Sequence, residues 1–355
     1  MSSQHDSDGG LMAIRSFTQL NTFIQQVMVH QLNKLRWCVL TVVFMMLVLI
    51  PFISLYQNYH ASRAYDFLQP DEKMIYDVIN VLTTVMVDDS NSMGEIIGST
   101  WSAHIGSFKL SDPLAVLNQI FIRWRVPMDF MMSGVFAIVI TIIFGRVFCG
   151  WICPASFIYE LNSNLSAYIN RKLHKQYGIQ LRTWKFSRSV KYYILFSGLI
   201  LSTCSGLMIL GALYPPAIVG REIYYGIAVD GMTYSAAFFF MTLLFDTFIS
   251  RRMFCRYLCP GGALYSLLGR FRLFRIQRDV ARCNDCRKCN AVCEFGLTPM
   301  RDQFGQECTN CTACISACPT KALTLQITMR DQQNQGMGKL ARSNLKMITT
   351  DRLVG

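Results

Sequence analysis

Apolar residues gather into four long runs along the chain, at 37–56, 128–147, 192–214 and 231–249. A stretch of about 20 apolar residues crosses the hydrocarbon core of a bilayer, so each run predicts a transmembrane helix. The first run follows residues 1–36 and lacks a small-residue cleavage site, so it reads as an anchor and not as a removable signal peptide. Within 1–36, residues 11–34 have apolar positions at helical spacing. They predict an amphipathic helix lying either on the membrane face or on the protein's own polar domain. The segment 57–127 holds two shorter patterns, "MIYDVINVLTTVMV" at 74–87 and "DPLAVLNQIFIRW" at 112–124. The second opens with Asp at the N-cap and Pro at N1. Both read as helices that lie along the membrane interface or dip into the bilayer.

The pattern repeats. "GRVFCGWICPASFIYEL" at 145–161 aligns with "SRRMFCRYLCPGGALYSL" at 250–267, each at the end of a returning apolar helix. Two copies of one helical hairpin predict packing about a pseudo-twofold axis along the membrane normal. The stretch "RFRLFRIQR" at 270–278 reads as a basic connector within 250–279, 280–328 as a separate small domain, and 329–355 as a polar tail.

Composition agrees with a membrane chain: 52% of residues are hydrophobic, 16% are charged, and the mean hydropathy is +0.29. The net charge of +12 does not point to nucleic acid, because the basic residues cluster at the ends of the apolar runs. Segment 148–191 carries Arg171, Lys172, Lys175, Arg182, Lys185, Arg188 and Lys191 against Glu160 alone, and the tail after the last run opens with Arg251, Arg252 and Arg256. Segment 57–127 is mildly acidic. The positive-inside rule therefore predicts cytoplasmic termini and a cytoplasmic 148–191 loop, with 57–127 and the loop 215–230 facing outward. The expected location is the inner (cytoplasmic) membrane of a multi-pass protein in contact with lipid.

The densest chemical signal is "CNDCRKCNAVCEF" followed by "CTNCTACISACPT". Both have the C-x2-C-x2-C-x3-C spacing of two-cluster iron–sulfur proteins. Three thiolates spaced by two residues wrap one cubane, and the fourth reaches the neighbouring one. This assigns Cys283, Cys286, Cys289 and Cys318 to one [4Fe–4S] cluster, and Cys308, Cys311, Cys314 and Cys293 to the other. Zinc sites bring cysteines or histidines in pairs and not as triplets with a lone fourth. The two heptapeptides "FCGWICP" and "FCRYLCP" add Cys149, Cys153, Cys255 and Cys259, each pair at i, i+4 on one helix face. Repetition at one membrane depth predicts that the four sulfurs converge, as a third iron–sulfur or other metal centre or as redox-active thiols.

The stretches "KLSDPLAVLNQ", "GRVFCGWICP", "RRMFCRYLCPGGALYSLLGRF" and the eight-cysteine tail resemble the NapH/MauN family of ferredoxin-type membrane proteins. The resemblance covers about 100–325 and implies four transmembrane helices, two cytoplasmic [4Fe–4S] clusters and two C-x3-C-P motifs. It implies electron transfer between the quinol pool and a membrane or periplasmic redox enzyme, or service in that enzyme's maturation. The chain departs from the pattern in its long 57–100 segment and in Glu294, which stands where proline usually follows the fourth cysteine.

The expected architecture is a mainly α membrane protein: four transmembrane helices as two repeated hairpins, with a cytoplasmic α+β domain for two [4Fe–4S] clusters. The expected role is an electron-transfer subunit resembling a quinol dehydrogenase; an assembly factor and a redox-sensing regulator are the alternatives. Arg146 and Arg221 flank spans and are candidates for contact with a cluster, thiolates or a quinone headgroup. Cys38 and Cys204 read as packing residues. The histidines fall outside the four spans, which disfavours a bis-histidine haem.

Overall fold

The computed structural model describes residues 31–49, 98–99, 102–105, 108–123, 128–178, 184, 186–228 and 231–327, with scattered helical positions between 70 and 78. The expected amphipathic helix at 11–34, most of the 74–87 helix and the 329–355 tail lie largely or wholly outside these residues. Helix α1, Gln31–Leu49, is long and apolar enough to cross a membrane. Shorter apolar helices cover Phe130–Phe144, Val190–Ser205 and Tyr234–Phe248. Each of the four apolar runs contains a helix among the described residues, but only α1 has spanning length there.

Strands β1 (Gly98–Ser99), β2 (Ser102–Ile105) and β3 (Phe108–Ser111) form an antiparallel sheet that the apolar pattern did not predict. It leads into α2, Pro113–Arg123. The start of α2 is inserted in the helical body: Leu114 and Asn118 are fully buried. Helix α3, Met128–Phe144, then runs to the first C-x3-C-P motif, after which α4 covers Pro154–Tyr177.

Helix α5, Val190–Ser205, is shorter than the 192–214 span that was expected. Gly206 adopts a left-handed φ of 68° and donates its N–H to the Ser202 carbonyl at 2.9 Å, which stops the helix. After the short α6, Ile209–Ala212, comes α7, Pro215–Ala228, where a loop was expected. Pro215 has no N–H to lose and suits a first helical position. The high overall apolarity of 192–214 concealed the break, although Ser202, Thr203 and Ser205 lie just before it. Helix α8, Tyr234–Phe248, leads to the second motif, and α9 covers Pro260–Leu268. The phenylalanine run of α8 serves two surroundings: Phe239 is buried, whereas Phe240 and Phe245 are exposed. Cys38 and Cys204 are also exposed, a correction to the expectation that they pack inside.

The repeat is larger than a hairpin. Helices α1–α4 form one copy, and α5, α7, α8 and α9 the other. Helix α4 packs on α7 and α8 of the opposite copy, and α9 packs back on α2 and α3. Within the copies, Phe44 of α1 meets Phe157 of α4 at 5.1 Å, and Tyr192 of α5 bonds Ser266 of α9 at 2.9 Å. Each copy thus supplies its post-motif helix to the core of the other. Leu114, Tyr159, Leu195, Tyr214 and Ala263 fill that shared core.

The cysteine-rich body starts earlier than 280. The basic connector forms β4, Phe274–Arg278, which pairs antiparallel with β5, Leu323–Ile327, placing Ile276 opposite Leu325. Helices α10 (Lys288–Val292) and α11 (Ala313–Ser316) lie between them. Ile276, Leu297, Phe304, Ile315 and Leu323 pack with the cysteines into one small core.

The contact between α7 and α9 is tight, because a Cβ placed on Gly261 would run into the Tyr214 ring. Valine gains little helix propensity over glycine. Gly261→Val is expected to cost about 1–3 kcal/mol of stability through overpacking. Thermal unfolding of the purified protein in detergent checks this, and a wild-type melting curve would contradict the packing.

Candidate metal centres

The two ferredoxin-type loops are built alike. In the first, Asp285 and Arg287 have φ of 53° and 59°; in the second, Asn310 and Thr312 have φ of 50° and 59°. Non-glycine residues seldom adopt this region, and such backbone clusters at functional sites. Each left-handed pair turns the chain around a cysteine. The loops also match in their side chains: the Cys283 thiol donates to Asp285 Oδ1 and the Cys308 thiol to Asn310 Oδ1, both at 3.5 Å.

The fourth cysteines are exchanged between loops. Cys283, Cys286, Cys289 and Cys318 line one cavity together with Arg278 and Thr320. Cys293 lies instead within electrostatic reach of Cys308, Cys311 and Cys314. Among the described residues, no three Cys, His, Asp or Glu side chains close on a point for a single ion. Four thiols spread around a cavity fit the larger [4Fe–4S] unit, whose iron atoms each take one sulfur ligand from the protein.

The C-x3-C-P motifs are not α-helical. Each first cysteine sits on one wide turn of π-helix, Phe148–Ile152 or Phe254–Leu258, and each second cysteine caps it. The N–H of Cys153 reaches the Phe148 carbonyl at 2.8 Å, and that of Cys259 reaches the Phe254 carbonyl at 2.9 Å. Proline disfavours helical conformation in the residue before it, so Cys153 and Cys259 are extended, with ψ of 116° and 118°. Pro154 and Pro260 then open α4 and α9. The cysteines at i, i+4 were expected on one α-helical face; the π turn and the extended second cysteine replace that geometry.

All four motif cysteines line one cavity between the repeats, with Arg146, Tyr214, Tyr265 and Phe295. An Arg146 Nη2 lies 3.9 Å from the Cys149 sulfur, and the Gly262 N–H donates to the Cys259 sulfur at 3.3 Å. Pro215 and Pro216, at the start of α7, also reach the cavity. Behind it, the Asp112 carboxylate accepts from Leu114 N–H at 2.8 Å, from Tyr265 OH at 3.3 Å and from Tyr214 OH. Phe148 stacks on Tyr265 at 4.8 Å.

Buried charges join this cavity to the cysteine-rich body. Glu307 pairs with Arg146, accepts from Lys191 Nζ at 2.5 and 2.6 Å, and accepts from Ser266 Oγ at 2.8 Å. Burial alone would raise the Glu307 carboxyl, but the Arg146 and Lys191 charges outweigh it and hold it down to about 2. It therefore stays ionised at neutral pH. On the other side, Arg252 donates to Ser156 at 2.7 Å and Glu160 at 3.0 Å and pairs with Glu294. Arg36 of α1 also pairs with Glu160.

Arg146 is thus at the site, and Arg221 is not. The Arg221 side chain is 40% exposed, and its Nε lies 4.0 Å from Glu222. Sequence reasoning missed the roles of Lys191, Arg252, Glu307, Phe295, Asp112, Tyr214 and Tyr265. One signal was available: Arg146 and Arg252 both stand three residues before the first cysteine of their motif.

A family described as "4Fe-4S binding domain" matches residues 127–176 and 232–278, one match over each C-x3-C-P motif. The ferredoxin-type protein NapH of Haemophilus influenzae is 31% identical over 230 residues, which are 61% of this chain and 75% of that protein. NapH of Escherichia coli is 26% identical, over 61% of this chain and 74% of that protein. The methylamine utilization ferredoxin-type protein MauN of Methylorubrum extorquens is 32% identical, over 55% of this chain and 63% of that protein. No solved structure matches the chain.

Breaking a buried ion pair by removing one partner leaves the other charge uncompensated. Glu307→Gln strands Arg146 and Lys191 and is expected to cost about 3–5 kcal/mol. A melting temperature in detergent equal to that of the wild type would contradict the pairing.

Proposed function

This chain belongs to the NapH/MauN family of ferredoxin-type proteins, and on that premise we propose that it carries electrons between the quinol pool and a partner redox enzyme at the membrane. Iron–sulfur electron transfer as the general activity follows from the family itself. The observation that carries the finer reading is the stacking of cysteine sets. Of the two sets of four thiols in the β4–β5 body, the one with Cys293 neighbours a third set of four between the helical repeats. No other arrangement of chemistry-bearing residues among the described residues competes with it.

In this reading Cys283, Cys286, Cys289 and Cys318 hold one [4Fe–4S] cluster, and Cys293, Cys308, Cys311 and Cys314 hold the second. The clusters supply one-electron transfer, and the chain's own residues orient and insulate them. Cys149, Cys153, Cys255 and Cys259 form a third metal centre or a redox thiol set. The termini, the 148–191 loop and the cysteine-rich body lie on the cytoplasmic side, where the basic residues gather. A hydrocarbon core of about 30 Å is too thick for one useful electron hop, which is why a quinone carrier belongs to the proposal. The partner is a membrane or periplasmic redox enzyme.

The contact of Arg146 with the Cys149 sulfur favours a second reading, in which the four motif thiols serve as reductant for maturation of a metalloenzyme. Iron and sulfide analysis of anaerobically purified protein separates the assignments. Two clusters give about eight iron and eight sulfide per chain, and a third adds about four of each. Replacing Cys149, Cys153, Cys255 and Cys259 with serine removes that additional iron if they hold a cluster, and removes none if they act as thiols. Chemically reduced quinol analogues should then reduce the clusters in proteoliposomes containing the partner enzyme. Failure with every quinol tested would sink the quinol link.

A further inference from the structure

The two repeats match residue by residue around their motifs. Arg146 precedes Cys149 by three positions, and Arg252 precedes Cys255 by the same three. Both arginines are buried, at 0% and 2% exposure, in positions where an unpaired charge is costly. Each pairs with a glutamate from the cysteine-rich body, and Arg252 pairs with Glu160 of α4 as well. Glu307, the partner of Arg146, directly precedes Cys308; Glu294, the partner of Arg252, directly follows Cys293. These two cysteines come from different loops but fall in the same crossed set of four.

The ring of Phe295 completes the junction. The Arg146 guanidinium lies 5.3 Å from its centroid and the Arg252 guanidinium 5.4 Å, distances typical of cation–π contact. Phe295 also lines the cavity of the four motif cysteines. The other crossed set has a different setting. Cys286 is exposed, and the charged neighbours Arg278, Asp285, Asp279 and Arg282 pair among themselves within the same body.

We propose that Arg146 and Arg252 are twin positioning residues which, through Glu307, Glu294 and Phe295, couple the Cys293/Cys308/Cys311/Cys314 set to the C-x3-C-P cavity and tune the reduction potential of that set and not that of the Cys283/Cys286/Cys289/Cys318 set. The proposal rests on the iron–sulfur reading above. Its physical basis is Coulombic. Each reduction adds one negative charge beside a desolvated junction, where the effective dielectric is low and nearby charges act strongly. Removing a positive charge there disfavours reduction, and removing a negative charge favours it. Glu294 acquires a role by the same logic: it replaces the usual proline with a carboxylate that Arg252 needs.

The test is a redox titration of the full-length protein in detergent, followed by electron paramagnetic resonance. The signal of the Cys293-containing set is identified as the one altered by Cys311→Ser. Arg252→Gln should move the midpoint of that signal to lower potential, and Glu294→Gln should move it to higher potential. Arg252→Lys, which keeps the charge, should restore most of the wild-type value. The midpoint of the Cys283/Cys286/Cys289/Cys318 signal, identified as the one altered by Cys286→Ser, should stay in place throughout. Opposite shifts from two neighbouring neutral variants would not follow from a general loss of packing. Equal movement of both signals, no movement of either, or shifts of one sign in both variants would overturn the proposal. Absence of cluster signals from the wild-type protein would instead overturn the iron–sulfur assignment on which it stands.

Discussion

Proline constrains the residue before it, and in this molecule that residue is a cysteine in both repeats. Cys153 and Cys259 adopt nearly the same extended conformation, with φ of −61° and −62°. The incoming helix must end there, and the proline must begin a new one. The wide π turn between the two cysteines absorbs the mismatch and aims both sulfurs toward the opposite repeat. Such turns recur at functional sites because they reorient side chains without interrupting the backbone hydrogen bonds. Once α4 and α9 leave their turns at matching angles, each is delivered to the other repeat. The shared core, the four-cysteine cavity and the docking face for the β4–β5 body all follow from that exchange.

The docking face is held by charge as much as by apolar contact. In the first repeat, Glu160 on α4 receives Arg36 and Arg252. At the matching position on α9 stands Ser266, seven residues after its motif's second cysteine as Glu160 is after its own. The carboxylate missing there comes from Glu307, which bonds Ser266, Lys191 and Arg146 together. The second repeat is therefore electrostatically complete only with the cysteine-rich body in place. A buried ion pair adds little net stability compared with apolar packing, but an unpaired member is strongly destabilising. This asymmetry specifies one docked arrangement: sliding the body away strips Arg146 and Lys191 of their carboxylate at once in a poorly solvated interior.

Local rules were legible in the sequence and long-range ones were not. The spacing of Cys283 to Cys318 sets out two like loops within a few residues, so a crossed pairing of their sulfurs could be proposed from the sequence. The C-x3-C-P repeat was visible as two aligned strings. The stop at Gly206 lies inside a run that reads as one span, although Ser202, Thr203 and Ser205 interrupt the apolar pattern just before the left-handed glycine. The strand at Phe274–Arg278 was hidden because its partner lies beyond both cysteine loops. Arg146 and Arg221 looked alike as charges flanking apolar runs. What separates them is Glu307, 161 positions from Arg146, against Glu222 next to Arg221. Asp112 likewise looked like an ordinary helix cap, and its bond to Tyr214 spans 102 positions. For Phe274–Arg278, Arg146 and Asp112 the deciding partner is remote along the chain.

The central claim is that the folded repeats place one crossed set of ferredoxin cysteines against the C-x3-C-P cavity. Iron anomalous scattering from crystals grown without oxygen tests it most directly. Iron is expected within Cys293, Cys308, Cys311 and Cys314 beside Phe295, with separate iron within Cys283, Cys286, Cys289 and Cys318 farther from the helices. Iron shared by Cys283, Cys286, Cys289 and Cys293, or the Cys283 group lying nearest the C-x3-C-P cavity, would contradict it.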